Sequence, residues 1–376
     1  MNKVLLKSFC LAMILSLSGV FANEVFAEAE TLAGIGSHGA EDGKEAQFNM
    51  PIGIISGLDG KILVADTFNS LIRAVDPDGY VSSLSLHFPE PDARGFPFGG
   101  FRDGELSGAL FNRPSGFALG FGNWFFVADT NNHAVRVIIG DRVYTMAGGR
   151  GEGFTDGARQ VAQFSFPSAV AVSPNGLIYV ADTGNHVIRR IYHDGAVTTI
   201  AGEAGEHGYR NGAINTALFD SPVGLQFCDE GRLFVADMGN HVVRIIENGI
   251  VSTYAGIRAE LVGAEFDEWD GASAGGFHDG GAAYAAFNNP MSLAFWQGIL
   301  FVADSGNHKI RAVFGGEVMT VAGTGYPGYL DGDLAGAMFH LPSGLYVFGT
   351  NLFVADTGNN MIRTIDLIAV LDMLGL

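Results

Sequence analysis

The stretch Val180-Ala181-Asp182-Thr183-Gly184-Asn185-His186-Val187-Ile188-Arg189 recurs, with small changes, six times in the chain of 376 residues. Every copy keeps the Asp, an Asn three residues later and an Arg seven residues later. The Asp and Arg positions are Asp66, Asp129, Asp182, Asp237, Asp304 and Asp356, and Arg73, Arg136, Arg189, Arg244, Arg311 and Arg363. Neighbouring copies lie 52 to 67 residues apart, near or a little above the ~40 to 50 residues of one four-stranded propeller blade. Six copies therefore predict six blades.

The sequence around each copy predicts its strands. A Phe-x-x-Pro-x-Gly segment such as residues 48–53 leads into an apolar first strand, and the second strand ends in Val-Ala-Asp. The third strand follows the Asn, and the fourth has the pattern Thr-x-Ala-Gly, as in residues 199–202. The last copy has no such fourth strand, whereas residues 31–34 stand alone ahead of the first blade. We expect an all-β fold, a six-bladed β-propeller of four-stranded blades, closed by pairing the N-terminal strand (31–34) into the last blade.

The two ends of the chain differ from the repeats. Lys3 and Lys7 precede an apolar run, and small residues at Ala22 and Ala27 offer two cleavage sites, which is the pattern of a secretory signal peptide. The alternative, an uncleaved anchor, has an apolar run that is short for a span of ~20 residues. We therefore divide the chain into a signal peptide (1–27), one propeller domain (28–366) and a short apolar C-terminal tail (367–376). The expected location is secreted or at the cell surface, and a bacterial origin fits the absence of any Asn-x-Ser/Thr acceptor.

The charge balance limits the partners. The chain carries a formal net charge of −19, which repels nucleic acid backbones and anionic lipid headgroups. We therefore expect no nucleic acid partner, no membrane insertion after signal cleavage, and a monomer. Only Cys228 remains after the signal peptide, and its apolar neighbours predict a buried, inert thiol.

The Asn-His tripeptides at 132–134, 185–187 and 240–242, within Val-Ala-Asp-x-x-Asn-His, resemble the NHL repeat. The resemblance covers residues 31–365 and implies a propeller. Propellers of this family serve as protein-binding, RNA-binding and, in some branches, catalytic scaffolds, so the resemblance alone leaves function open. Two copies depart from the tripeptide, at residues 69–71 and 359–361.

A residue type that occupies one position six times is expected to build each unit. We expect the repeated Asp and Arg to pair across each turn, with the Asp accepting from backbone N–H groups two residues on and Gly-Asn supplying the left-handed positions. The repeated histidines are expected to cap or pack their own turns; they are His133, His186, His241 and His308.

The catalytic alternative is a metal-dependent hydrolase or lyase with a site at the channel mouth. Gluconolactonase-like relatives place metal-binding carboxylates near the axis, but the six first-strand segments contain no acid and no His. Peptide-amidating lyases, another catalytic branch of the NHL family, hold zinc with His ligands, and the non-repeat residues His207, His278 and His340 are the weak alternative ligand set here. No residue is assigned as catalytic and no cofactor is expected, Ca²⁺ or Zn²⁺ being the alternatives.

Two of the connections between blades are longer than the others. They follow blades 1 and 4, which lie opposite each other in a ring of six. They carry aromatic and charged side chains on a rigid scaffold, which favours recognition. The candidate binding residues are Phe88, Arg94, Phe96, Phe98 and Phe101, and Glu265, Phe266, Asp267, Trp269 and Asp270. Each loop alternatively folds down onto its own blade, and the acidic loop alternatively binds Ca²⁺. The preferred function is that of a binding module for a protein or peptide ligand, cationic or aromatic-rich.

Overall fold

The computed structural model describes residues 28–86, 99–257 and 275–376. The predicted signal peptide lies outside these residues. The described residues form six antiparallel sheets arranged as the blades of a propeller, with one α-helix at the end. The predicted six-bladed β-propeller is confirmed.

Strand labels follow the chain, and the strands of each blade are given from the innermost outward. The chain begins with β1 (Glu28–Ala33), which belongs to blade 6. Blade 1 contains β2 (Pro51–Ser56), β3 (Ile62–Asp66), β4 (Leu71–Val75) and β5 (Val81–Ser83). Blade 2 contains β7 (Pro114–Leu119), β8 (Trp124–Asp129), β9 (Ala134–Ile139) and β10 (Arg142–Gly148), with β6 (Gly104–Glu105) outside them. Blade 3 contains β11 (Pro167–Val172), β12 (Ile178–Asp182), β13 (Val187–Ile191) and β14 (Val197–Ala201).

The remaining blades follow the same order. Blade 4 contains β16 (Pro222–Phe227), β17 (Leu233–Asp237), β18 (Val242–Glu247) and β19 (Ile250–Ala255), with β15 (Gly212–Ala213) outside. Blade 5 contains β21 (Pro290–Trp296), β22 (Ile299–Asp304), β23 (Lys309–Phe314) and β24 (Glu317–Ala322), with β20 (Gly280–Gly281) outside. Blade 6 contains β26 (Pro342–Phe348), β27 (Asn351–Asp356), β28 (Met361–Asp366) and β1, with β25 (Gly332–Asp333) outside.

The ring is closed at both its centre and its edge. Each innermost strand contacts the innermost strand of the next blade, and β26 contacts β2. At the perimeter, β1 pairs antiparallel with β28, where Ala29 lies opposite Ile365. The predicted closure is confirmed, but the strand begins at Glu28 rather than at residue 31. Its inward residues Ala29 and Ala33 are buried, so residues ahead of the recognisable pattern also belong to the blade.

The fifth strands of four blades were not predicted. Each is a two-residue segment whose Gly has a positive φ, as in Gly332 at 130°. The segment follows an Asp or Asn of the connection between blades, as Gly332–Asp333 follows Asp331. Two residues are too few to produce an alternating pattern that sequence reading can detect.

The core lies between neighbouring blades. It contains the Phe of each Phe-x-x-Pro segment, fully buried in all six blades: Phe48, Phe111, Phe164, Phe219, Phe287 and Phe339. Close approach of the innermost strands requires glycine: a Cβ on Gly53 would lie 1.8 Å from the carbonyl oxygen of Ser115. Cys228 is buried in the core between blades 4 and 5.

The C-terminal tail forms helix α1 (Leu367–Leu374). The Asp366 side chain caps it by accepting from the N–H of Ile368. Leu367 and Val370 are buried against blades 5 and 6, and Leu371 and Leu374 pack against the same core cluster. Within the described ranges, no helix has the length and apolar character needed to cross a bilayer.

Candidate functional site

The predicted Asp–Arg pair is present in all six blades. The Arg Nη1 lies 2.5 to 3.0 Å from the Asp Oδ2, and both side chains are fully buried in every blade. A buried guanidinium needs its donors filled, because an unpaired charge in the core costs several kcal/mol, about 3–5 when one partner is lost.

The expectation for the other contacts of the Asp was wrong. Asp182 Oδ1 accepts from the N–H of Ser165, 17 residues earlier, at 2.7 Å, rather than from a residue two positions on. Its Oδ2 accepts from Asn185 Nδ2 at 2.8 Å and from Arg189. Burial raises the pKa of Asp182 to about 6, against the opposing charge of Arg189, so the carboxylate is ionised at neutral pH. The repeated Asp thus ties the turn between strands 2 and 3 to the entrance of strand 1.

The repeated Arg has further partners that the sequence reading did not assign. Arg189 Nη2 donates to Asp156 Oδ1 at 2.6 Å, and its guanidinium lies between two rings, Phe164 at 5.1 Å and Phe154 at 4.6 Å. Cation–π contacts of this kind add ~0.5–2 kcal/mol each. The donors of Arg189 and both faces of its guanidinium are thus occupied. The equivalent Nε atoms of Arg73, Arg244 and Arg363 are buried without a hydrogen-bond partner among the described residues. The repeated cluster is a structural brace of the blade.

Phe101 occupies the outer ring position of this brace. It lies 4.6 Å from the guanidinium of Arg136 and remains half exposed. Four other blades have an aromatic ring at the same place: Phe154, Tyr209, Phe277 and Tyr329. Phe101 therefore holds a repeat position. The other candidate binding residues lie outside the described residues: Phe88, Arg94, Phe96, Phe98, Glu265, Phe266, Asp267, Trp269 and Asp270.

The repeated histidines connect neighbouring blades, so the expectation that each serves its own turn was wrong. His186 Nδ1 in blade 3 accepts from the N–H of Ser221 in blade 4 at 3.0 Å. The same bond joins three other pairs: His133 to Phe166, His241 to Asn289, and His308 to Leu341. Burial lowers the pKa of His133, His186 and His308, which favours the neutral ring that an accepting Nδ1 requires.

The left-handed residue of each turn is the one after the Asn, and not Gly or Asn as expected. His186 has a φ of 57°, and Ser70 and Asn360 adopt the same conformation in blades 1 and 6. Ser70 Oγ accepts from the N–H of Arg113, and Asn360 Oδ1 accepts from that of Met50. The two blades that lack the His therefore keep its hydrogen bond with another acceptor.

The non-repeat histidines lie at three different boundaries between blades. His207 Nδ1 is 3.5 Å from Asp220 Oδ2 beside His186, and the ring of His340 lies 5.6 Å from that of His308. His278 lies in the connection between blades 4 and 5, bridged to Ala286. Among residues 28–86, 99–257 and 275–376, no three or more His, Cys, Asp or Glu side chains are grouped to hold a metal ion. The structure thus does not bring His207, His278 and His340 together.

The central channel holds a cavity of about 360 Å³. All six innermost strands line it, and none of the lining residues is charged. Its polar side chains are hydroxyls and one amide: Ser115, Ser168, Gln226, Ser292, Ser343 and Tyr346. Ser115 Oγ is itself bonded to Thr130 and to the carbonyl of Ser168.

The ring has two distinct ends. We call the end with the turns between strands 2 and 3 the turn face, and the end with the hairpins between strands 1 and 2 and between strands 3 and 4 the hairpin face. Both long connections return to the turn face, where Gly100 accepts from Asn132 Nδ2 and Gly276 accepts from Asn307 Nδ2. They lead into blades 2 and 5, which are opposite in the ring. The turn face is therefore the candidate functional site.

The family model of the NHL repeat matches residues 164–191. The chain is 33% identical over 281 residues to Protein SUPPRESSOR OF QUENCHING 1, chloroplastic, of Arabidopsis thaliana, covering 71% of this chain and 26% of that protein. It is 32% identical over 348 residues to NHL repeat-containing protein 2 of Bos taurus, covering 83% of this chain and 46% of that protein. The chain thus spans less than half the length of these relatives.

A solved structure shares the fold. It is an auxiliary nutrient binding protein from Bacteroides thetaiotaomicron VPI-5482, with a TM-score of 0.65 and 15% identity, covering 90% of this chain and 76% of that one. At that identity the likeness concerns the fold alone. Together with the sixfold Asp–Arg pair and the His present in four blades, the family model and the relatives lead to one conclusion: the chain belongs to the NHL-repeat proteins.

Proposed function

We propose that the chain is an exported binding module that captures a protein or peptide segment on its turn face, between the two long connections. The observation that carries the proposal is the position of these connections, which lead into opposite blades and both end on the turn face. Gly100 and Gly276, at their ends, are held by the Asn position that holds the corresponding Gly in every blade. Connections that carry aromatic and charged residues on a rigid ring are suited to recognition.

The chemistry of the turn face supports a cationic or aromatic-rich ligand. Ile35, Phe166 and Tyr326 are exposed there. Carboxylates stand beside them, with Glu152 next to Ser165 and Glu206 next to His207. Apolar groups supply contact area, and the carboxylates favour approach by Lys or Arg side chains.

The contacts of the repeated residues also favour binding over catalysis by these residues. The buried Asp and Arg are paired with one another, and the repeated His Nδ1 atoms are occupied by backbone N–H groups of the next blade. A general base needs a free acceptor within reach of its substrate. These groups therefore stabilise the structure of the turn face.

The test is a selection of peptides of about 12 residues from a phage-displayed library on immobilised residues 28–376, followed by titration calorimetry. One variant has both long connections shortened to the length of the connection after blade 2. It should lose at least ~10-fold in affinity, about 1.4 kcal/mol. The control Val161→Asp, in that shorter connection, should bind normally.

If the shortened variant binds the selected peptides as tightly as the unaltered protein, the proposal is wrong. A parallel arm measures bound zinc and calcium and looks for cleavage of the selected peptides by mass spectrometry. Stoichiometric metal with cleavage would replace the binding module by the hydrolase or lyase alternative.

A further inference from the structure

We propose that the hairpin face, at the opposite end of the ring, is a second docking surface, and that its partner is a cationic amphipathic protein segment. Large apolar side chains are exposed on the hairpins between strands 1 and 2 of three consecutive blades. They are Phe348 in blade 6, Leu58 in blade 1, and Leu119, Phe121 and Trp124 in blade 2. Phe121 is 71% exposed, an unusual position for a side chain of this size.

Helix α1 extends this apolar surface. Leu367 donates to the carbonyl of Thr350 in the first hairpin of blade 6, which fixes the helix on the hairpin face. Its inner residues pack into the core of blades 5 and 6, whereas Ile368 and Met373 are exposed, as is Leu376 just beyond the helix. The exposed apolar side chains therefore belong to helix α1 and to blades 6, 1 and 2.

The two faces differ in exposed apolar side chains. On the turn side, Ile35, Phe166 and Tyr326 are exposed, and Phe101, Phe154, Phe277 and Tyr329 are partly exposed but lie against the guanidinium of a repeated Arg. The hairpin face has the eight named above. Groups of exposed apolar side chains mark interaction sites in soluble proteins.

Carboxylates surround the apolar centre. Every blade has at least one at or beside the end of strand 3, further from the axis on the same side: Asp76 and Asp78, Asp141, Asp194, Glu247, Glu317 and Asp366. In blade 1 these charges are paired, Asp76 with Lys61 and Asp78 with Lys44. Asp194 and Asp366 accept from the backbone N–H groups of Ala196 and Ile368, which does not neutralise them.

An apolar centre with an acidic perimeter selects its partner by charge. A helix with one apolar face flanked by Lys or Arg matches both parts of the surface. A second copy of this chain would bring two acidic perimeters together, and anionic lipid headgroups would be repelled as well. We therefore assign the surface to a basic amphipathic segment.

The probe is a synthetic helix of about 15 residues made of Leu and Lys with the apolar residues on one face, compared with a scrambled peptide of the same composition. Fluorescence anisotropy should show that the patterned peptide binds residues 28–376, and that added salt weakens the binding. Phe121→Asp should reduce affinity at least ~10-fold. The matched control Leu330→Asp, 52% exposed in the connection that leads into blade 6, should leave affinity unchanged.

Circular dichroism must show that Phe121→Asp is folded, because Phe121 lies against Gly176 of the next hairpin. Phe348→Asp is the second variant and should give the same loss. Equal binding of the scrambled peptide, or no effect of either variant, would overturn the proposal. So would a dimer in sedimentation that Phe121→Asp dissociates, or capture by phosphatidylcholine vesicles in place of the peptide.

Discussion

His186 Nδ1 in blade 3 accepts the backbone N–H of Ser221 in blade 4 at 3.0 Å. This bond crosses a boundary between blades, and an equivalent bond crosses each of the other five. Protonation at Nδ1 turns the acceptor into a donor and breaks the bond. Four of the six boundaries thus depend on neutral histidine.

Replacing His133, His186 and His308 by Asn should make stability less sensitive to acid. Burial lowers the pKa of all three histidines in the folded protein, so the unfolded chain binds protons first as the pH falls below about 6.5. The wild type therefore loses stability in that range. Asn keeps the acceptor, as Asn360 does in blade 6, and does not titrate. Urea unfolding at about pH 7.5 and about pH 5.5 measures the difference.

The buried Asp residues work in the opposite direction, because burial raises the pKa of Asp66 and Asp129 to about 6. Their contribution grows as the pH falls from about 6 towards 3.8, but it is common to both proteins and cancels in the comparison. Groups facing the three histidines are Glu152, Asp220, His207 and His340, and these are also unchanged. An identical loss in the variant would show that the histidines do not titrate as the contacts imply.

Asp182→Ala should lower the free energy of unfolding by roughly 3–5 kcal/mol. The change removes the inner carboxylate from the buried guanidinium of Arg189 and the acceptor from Ser165 N–H. Asp229→Ala, an exposed carboxylate of the same chain, is the control. Chemical denaturation followed by fluorescence gives the free energy of unfolding of both variants. A loss below ~1 kcal/mol for Asp182→Ala would contradict the structural role of the Asp–Arg pair.

Gly53→Ala should destabilise the ring by roughly 1–3 kcal/mol, because its methyl group would meet the Ser115 carbonyl oxygen at 1.8 Å and force two innermost strands apart. Gly108→Ala is the matched control, since nothing lies within 4 Å of its Cβ position. Thermal melts give the Tm of both variants. Equal Tm values would show that the close contact at Gly53 does not limit stability.

A chain that starts at Gly34 should fail to form a stable monomer. It lacks β1, which leaves β28 with an unpaired edge. A chain that starts at Glu28 keeps the strand and should melt like the longer protein. Gel filtration with light scattering distinguishes the two, and a well-folded monomer from the shorter chain would mean that β1 is dispensable.

The sequence was sufficient for the architecture because each blade repeats the same local signals. Asp182 opposite Val187, the Arg189 pair and the closing strand all follow from spacing within one repeat. It was not sufficient for contacts between repeats. The acceptor role of His186 towards Ser221 depends on how blades pack, which no local pattern encodes. Phe101 belongs to an aromatic position that five blades share and that Ala40 occupies in blade 1. Because of this exception, the sequence did not show that the position is repeated.

Because Ala29 pairs with Ile365, blade 6 is complete only when both ends of the ring have been made. Blades 1 to 5 form from hairpins that are close in sequence, and these close quickly. Blade 6 needs the two most distant parts of the ring to meet, which is the slowest loop to close and the last to be synthesised. Until then β28 has an unpaired edge, and we expect ring closure to be a late step of folding. A chain that is still incomplete therefore remains easy to unfold.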